Sequence, residues 1–182
     1  VFEVRNLWPE SAVALGELRN PWPITLAAKL ERMCYNKASK VVVVTEGIRQ
    51  RLTQRGIPPT KLELIPNGAN TELFRPRPEE GAKLREGLGL GDKFIVIYAG
   101  IHGVAQGMET LVEAAQLLQG ERDIHFLFIG EGPKKDEVVS LKEQYKLSNL
   151  TLLSERPREE MPAYLSAADV ALVPLRKIDL FK

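Results

Sequence analysis

The chain has 182 residues, 44% hydrophobic and 27% charged, with a formal net charge of +1, an ordinary globular composition able to build a core. That near-neutral balance, with no basic stripe interleaved with aromatics, argues against a nucleic-acid partner. No run approaches the roughly 20 apolar residues needed to cross a bilayer, and the single cysteine, Cys34, excludes a disulfide within the chain and fits a reducing, cytoplasmic setting.

Val1 to Leu7 reads as a short strand, broken by Trp8-Pro9-Glu10-Ser11, a loop in which Trp8 is expected to anchor packing. Asn20-Pro21-Trp22-Pro23 marks a further break, and Thr25 to Ala38 carries apolar residues at helical spacing, with Cys34 expected in the core. Val41 to Val44 is a β-branched run of the kind buried in a parallel sheet. Ile48 and Leu52 begin a short helix that Gly56 and Pro58 end, and Leu62 to Ile65 is a brief strand. The turn formers of Pro66–Asn70 and Phe74–Pro78 then mark the best domain boundary, which divides the chain into 1–74 and 75–182.

Beyond that boundary the pattern is regular: strands at 93–99, 124–129, 150–153 and 170–175 alternate with helices at about 107–119, 133–146 and 158–168. Such alternation predicts right-handed βαβ units and a Rossmann-like parallel sheet with helices on both faces. Ligands of these sheets lie beyond the carboxyl ends of the strands. Four loops are therefore candidates: Gly100 to Gly107, Gly130-Glu131-Gly132-Pro133, Ser154-Glu155-Arg156-Pro157, and the one beginning at Pro174-Leu175.

The first loop, in FIVIYAGIHGVAQGMETLVEAA, passes from an Ile/Val strand through Gly100, Gly103 and Gly107 into a helix. A turn of that kind presents unpaired N–H groups at a helix N-terminus, where the dipole also favours an anion. The spacing G-x-x-G-x-x-x-G is neither a dinucleotide fingerprint nor a P-loop. His102 reads either as a donor to a phosphate oxygen or as an exposed loop histidine, and His125 as structural. Glu131 suits hydrogen bonds from ribose or sugar hydroxyls. Arg156 suits a phosphate or base, or an ion pair with Glu155 or Glu159. Lys134, Lys135, Asp136 and Glu137 read as a solvated helix start. No residues stand at metal-ligand spacing, and no catalytic triad or nucleophile elbow is present.

Together, VVVVTEGIRQRL, GIPPTKLELIPNGANTELFRP, FIVIYAGIHGVAQGMETLVEAA, IHFLFIGEGPKKDEV and LTLLSERPREEMPAYLSAADVALVPL resemble the retaining, family 4 type glycosyltransferases. LWPES is similar to the branch that builds bacterial surface polysaccharides and lipid-linked sugars. The resemblance implies a GT-B fold of two Rossmann-like domains, here truncated at both ends. It implies a nucleotide-sugar donor, most simply a UDP-sugar, held by the second domain without a metal or other cofactor. A glycan or lipid-linked acceptor would bind the first domain, with peripheral contact at the inner face of the membrane. By position, Gly100, His102, Gly103, Gln106 and Gly107 would face the donor diphosphate and Glu131 would line the donor cleft. Arg156 and Pro157 would lie near the base, and Asn67 and Gly68 would form the hinge.

Where many relatives have Arg and Lys in the glycine turn, this chain has Ile101 and Gln106; Asn6 and Asn70 replace Asp. The family's E-x7-E region should follow the strand ending at Leu175, so an internal piece of a larger enzyme, inactive alone, is expected. The alternatives are a nucleotide-sugar 2-epimerase of the same fold and a non-catalytic nucleotide-binding module; a dehydrogenase is opposed by the glycine spacing.

Overall fold

The computed structural model describes residues 1–181, whose contacts divide into two units, Val1–Gly68 with the tail from Lys177, and Ala69–Arg176. In the first, strands β1 (Phe2–Val4), β2 (Val41–Val43) and β3 (Leu62–Leu64) form a parallel sheet in that order. Helices α1 (Glu10–Ala14), α2 (Pro21–Lys37) and α3 (Glu46–Gln54) connect them. Val4, Tyr35, Val41, Val43, Leu52 and Leu62 make its core, joined by Leu180 from the tail.

Several expectations for this unit need correction. The helix expected from Thr25 begins at Pro21, because the Asn20 side chain accepts from the Trp22 N–H at 3.1 Å and Pro21 fills the first helical position. Glu10 and Ser11, expected in the loop that follows Trp8, open α1 (Glu10–Ala14), whose Glu10 pairs with Arg51 at 2.7 Å and with Arg55. Trp8 is half exposed rather than an anchor of the core, and Cys34 is only partly buried.

The second unit adds α4 (Pro78–Gly87), β4 (Phe94–Ala99), α5 (Met108–Leu117), β5 (Ile124–Ile129), α6 (Lys135–Gln144), β6 (Leu150–Leu153), α7 (Met161–Ala167) and β7 (Val170–Ala171). All four strands are parallel, in the order β6-β5-β4-β7. Alternate residues of each central strand face opposite layers, as a period of two requires. Tyr98, Phe126 and Phe128 pack with α5 and α6 residues Met108, Val112, Ala115 and Val138. Ile95, Ile97, Leu127 and Ile129 pack with Leu90 and Tyr164 on the other face. The doubly covered parallel sheet expected from the sequence is thus present.

One helix went unread: α4 lies in a Pro- and Gly-containing stretch that carries no strong helical period. The last strand ends at Ala171 rather than residue 175, since pairing with β4 spans only Val170 and Ala171. Among the described residues, no helix is long and apolar enough to cross a membrane.

Candidate functional site

The order β6-β5-β4-β7 reverses direction between β4 and β7, because the chain steps outward from β4 through β5 to β6 and then returns to β4's other side. Such a switch point opens a crevice at the carboxyl ends of the two strands, where ligands of open α/β sheets bind. The loop leaving β4 is Gly100–Gly107, and the segment leaving β7 reaches Arg176. The Arg176 N–H donates to the Ala105 carbonyl at 2.8 Å, which pins the two loops together.

The turn itself is open in hydrogen-bonding terms. The backbone N–H groups of Gly103 to Gly107 donate no hydrogen bond among the described residues, and α5 has no side-chain N-cap. Gly107 caps the helix at φ +61°, a left-handed conformation that favours glycine. Two polar side chains lie over the turn: the Gln106 carboxamide on Gly103, and the Arg176 methylenes on Gly107. The Arg176 guanidinium pairs with Glu109 in the first turn of α5.

Backbone bonds fasten the second loop to the first. Gly100 N–H donates to Ile129 O at 3.0 Å, His102 N–H to Glu131 O at 2.8 Å, and Lys134 N–H to His102 O at 2.8 Å. Close approach explains the glycines of Gly130-Glu131-Gly132. A Cβ on Gly130 would fall on the Gly100 carbonyl oxygen, and one on Gly132 would stand 2.7 Å from His102 O. These glycines thus admit a neighbouring loop, where the sequence suggested a ligand.

His102 is fully buried, which removes the exposed-loop alternative, and neither ring nitrogen has a partner among the described residues. Its ring lies tilted against Tyr98, 5.8 Å between centroids. Burial pushes the imidazole below its ordinary pKa, the Lys135 ammonium pushes it further down, and Glu131 opposes both. The ring is therefore neutral near pH 7, one nitrogen a donor and the other an acceptor. His125 is structural: it is buried in β5 and bonded to Thr151 Oγ1 at 2.9 Å.

Lys135 departs from the solvated helix start expected for it. Its Nζ donates to Gly130 O at 2.8 Å and Leu153 O at 3.0 Å, tying the ends of β5 and β6, and stands 3.8 Å from the exposed Glu131 carboxylate. Arg156 and Pro157 are exposed in the loop after β6, the sheet's outer strand; Arg156 pairs with neither Glu155 nor Glu159, and it is Arg158 that lies over the Phe74 ring at 5.7 Å. Asn67 and Gly68 are exposed and close the first unit. Neither Lys135 nor Arg176 was singled out from the sequence. The strand-end rule named the loop beginning at Pro174-Leu175, which runs on through Arg176, but no spacing marks a cation that folds back onto a neighbouring loop.

The family described as glycosyl transferases group 1 matches residues 82–179, more than half of the chain. The chain belongs to that family. Residues 6–73 match the family described as glycosyltransferase family 4. Among curated relatives, a GDP-mannose-dependent phosphatidylinositol monomannoside mannosyltransferase of Mycolicibacterium smegmatis is 29% identical over 78% of this chain and 37% of its own. The probable glycosyltransferase WbjE of Pseudomonas aeruginosa is 28% identical over 97% of this chain and 44% of its own. The chain thus spans less than half the length of these relatives. In structure it is similar to Anabaena Alr3699/HepE, solved with UDP-glucose, at a TM-score of 0.73 and 18% identity over 93% of this chain and 44% of that one. That likeness extends the GT-B fold of group 1 glycosyl transferases to the present chain.

Proposed function

We propose that the protein transfers a glycosyl group, with retention, from a nucleotide-diphosphate sugar to a hydroxyl of a glycan or lipid-linked acceptor, in surface polysaccharide synthesis at the inner face of the membrane. The observation that carries the donor side is the run of unpaired N–H groups from Gly103 to Gly107, leading into α5 at the switch point between β4 and β7. Unpaired N–H groups at a helix N-terminus donate to phosphate oxygens, and the dipole adds to that attraction. The glycines at 103 and 107 leave room beside the main chain, which the Gln106 carboxamide and the Arg176 side chain enter in this structure. In this reading the fully buried His102 holds the turn against the second loop, while Glu131, exposed beside it, takes hydroxyls of ribose or sugar. Charge on the diphosphate is met by backbone and cations, with no metal required. Arg156 and Pro157 border the base, and Asn67-Gly68 is the hinge.

Support for the sugar nucleotide comes from family membership and from the fold-mate, which binds UDP-glucose. Names among the relatives point to glycolipid and polysaccharide acceptors, including a putative colanic acid biosynthesis glycosyl transferase of Escherichia coli. UDP is therefore the first nucleotide to try.

Gly103→Asp tests the donor site without unfolding it. Gly103 does not have a left-handed backbone, and its added Cβ would meet only the movable end of Gln106. The carboxylate then repels phosphate where the amides should receive it. Calorimetry should show UDP or GDP binding to the unaltered chain and none to the variant. Equal binding by both would remove the glycine turn from the donor site.

A further inference from the structure

We infer that Arg176 is the cation that reads the donor's diphosphate, and that Glu109 occupies its guanidinium until the donor arrives. The inference rests on the assignment of the Gly100–Gly107 turn to the donor. That turn contains no cation of its own: its residues are Gly100, Ile101, His102, Gly103, Val104, Ala105, Gln106 and Gly107, and the buried imidazole of His102 is held neutral. The α5 N-terminus offers about half an elementary charge, well short of what a nucleoside diphosphate brings. A further cation has to approach from beside the turn.

Of the cations in the described strand-end loops, Lys134 pairs with Glu137 and Arg156 lies beyond the outer strand β6, which leaves Lys135 and Arg176 to consider. Lys135 is committed to the carbonyls of Gly130 and Leu153, on the β5–β6 side. Arg176 lies on the other side of the switch point. Its main chain is bonded to Ala105 O, its Cγ would be 3.1 Å from a Cβ on Gly107, and its guanidinium reaches the first turn of α5 at Glu109. A Cβ at 107 would press on the Arg176 Cγ, which would have to give by a few tenths of an ångström, so the cap glycine and the arginine fit one another.

In the resting pair, the Glu109 carboxylate sits where an anion profits from both the helix dipole and a guanidinium, the same two influences a phosphate would seek. Both side chains remain about a third exposed, at 35% and 32%. The pair runs through one arm, Nη2 to one carboxylate oxygen, and a solvated pair of that kind is held weakly, whereas two phosphate oxygens can engage both arms of the guanidinium at once. Exchange of carboxylate for diphosphate therefore favours the donor and discriminates against a monophosphate, which offers the fork fewer oxygens at that depth.

Calorimetry on the whole 182-residue chain, with UDP and UMP at low and high salt, tests this; GDP and GMP replace them if the guanine nucleotide binds instead. Arg176→Gln is expected to weaken UDP about tenfold, to leave UMP nearly unchanged and to flatten the salt dependence. Glu109→Gln is expected to tighten UDP about threefold, because the competing carboxylate is gone. Equal UDP affinity in Arg176→Gln and the unaltered chain, or equal losses for UDP and UMP, would overturn the inference. The donor site would still stand on the loss caused by Gly103→Asp. If Arg176→Gln does not fold, Glu109→Gln decides alone: UDP affinity unchanged or lowered there overturns the exchange. Failure of the unaltered chain to bind either diphosphate would end the donor reading and this inference with it.

Discussion

Gly130 holds φ at +146°, in a region that L side chains rarely adopt, and its missing side chain leaves room for the Gly100 carbonyl. Both conditions oppose any other residue. Gly130→Ala is expected to cost about 2 to 4 kcal/mol, the sum of backbone strain and a displaced loop. Urea denaturation checks it, and an unchanged midpoint would mean that the two loops are not pressed together as described. The residues GEGP were legible as a strand-end loop because paired glycines after an apolar strand are a local signal. Their partner was not legible, since Gly100 lies far away in sequence. The same holds for Lys135: beside Asp136 and Glu137 it reads as surface charge, and only the neighbouring ends of β5 and β6 give its ammonium two carbonyls.

Among the elements, α4 was missed although most of PEEGAKLREG favours a helix, because Gly81 interrupts it and no clear apolar period marks its buried face. Its place is decided by packing. Gly81 lets α4 approach α7 so closely that a Cβ would lie 2.7 Å from both the carbonyl carbon and oxygen of Ser166. Arg85 adds bonds to Ala167 O at 2.9 Å and to Asp169 at 3.2 Å, and Asp169 in turn accepts from the Ile95 N–H at 2.7 Å. Two effects compete in Gly81→Ala. Helix propensity favours alanine by about 1 kcal/mol, but overpacking against backbone, which cannot rotate away, costs about 1 to 3 kcal/mol. Packing should win, so the variant is expected to melt lower than the unaltered chain. A higher melting temperature in calorimetry would show that the helices part without loss. The regular strands 124–129 and 150–153 matched their expected bounds, because runs buried on both faces are written in Ile, Leu and Phe.

For the whole molecule, pH is the lever, through two buried histidines. Burial is the main cause lowering the pKa of both His102 and His125, with lysines adding to it. The unfolded chain takes up protons near the ordinary histidine value of about 6.5, while the folded chain resists them to lower pH. Stability is then full above that value and falls as pH drops below it. The urea midpoint should hold steady from about pH 8 to 7, decline below about 6.5, and decline less steeply in His102→Gln. A slope indifferent to that substitution would show that His102 takes up its proton equally in both states. The sequence by itself determined the parallel α/β class and which loops end the later strands, since periodicity and turn residues are local properties of a chain. Only the tertiary structure decided that β7 returns beside β4, that His102 is enclosed rather than exposed, and that Arg176 lies across the glycine turn. Those facts join residues distant in sequence, and they follow from the burial of two apolar sheet faces at once.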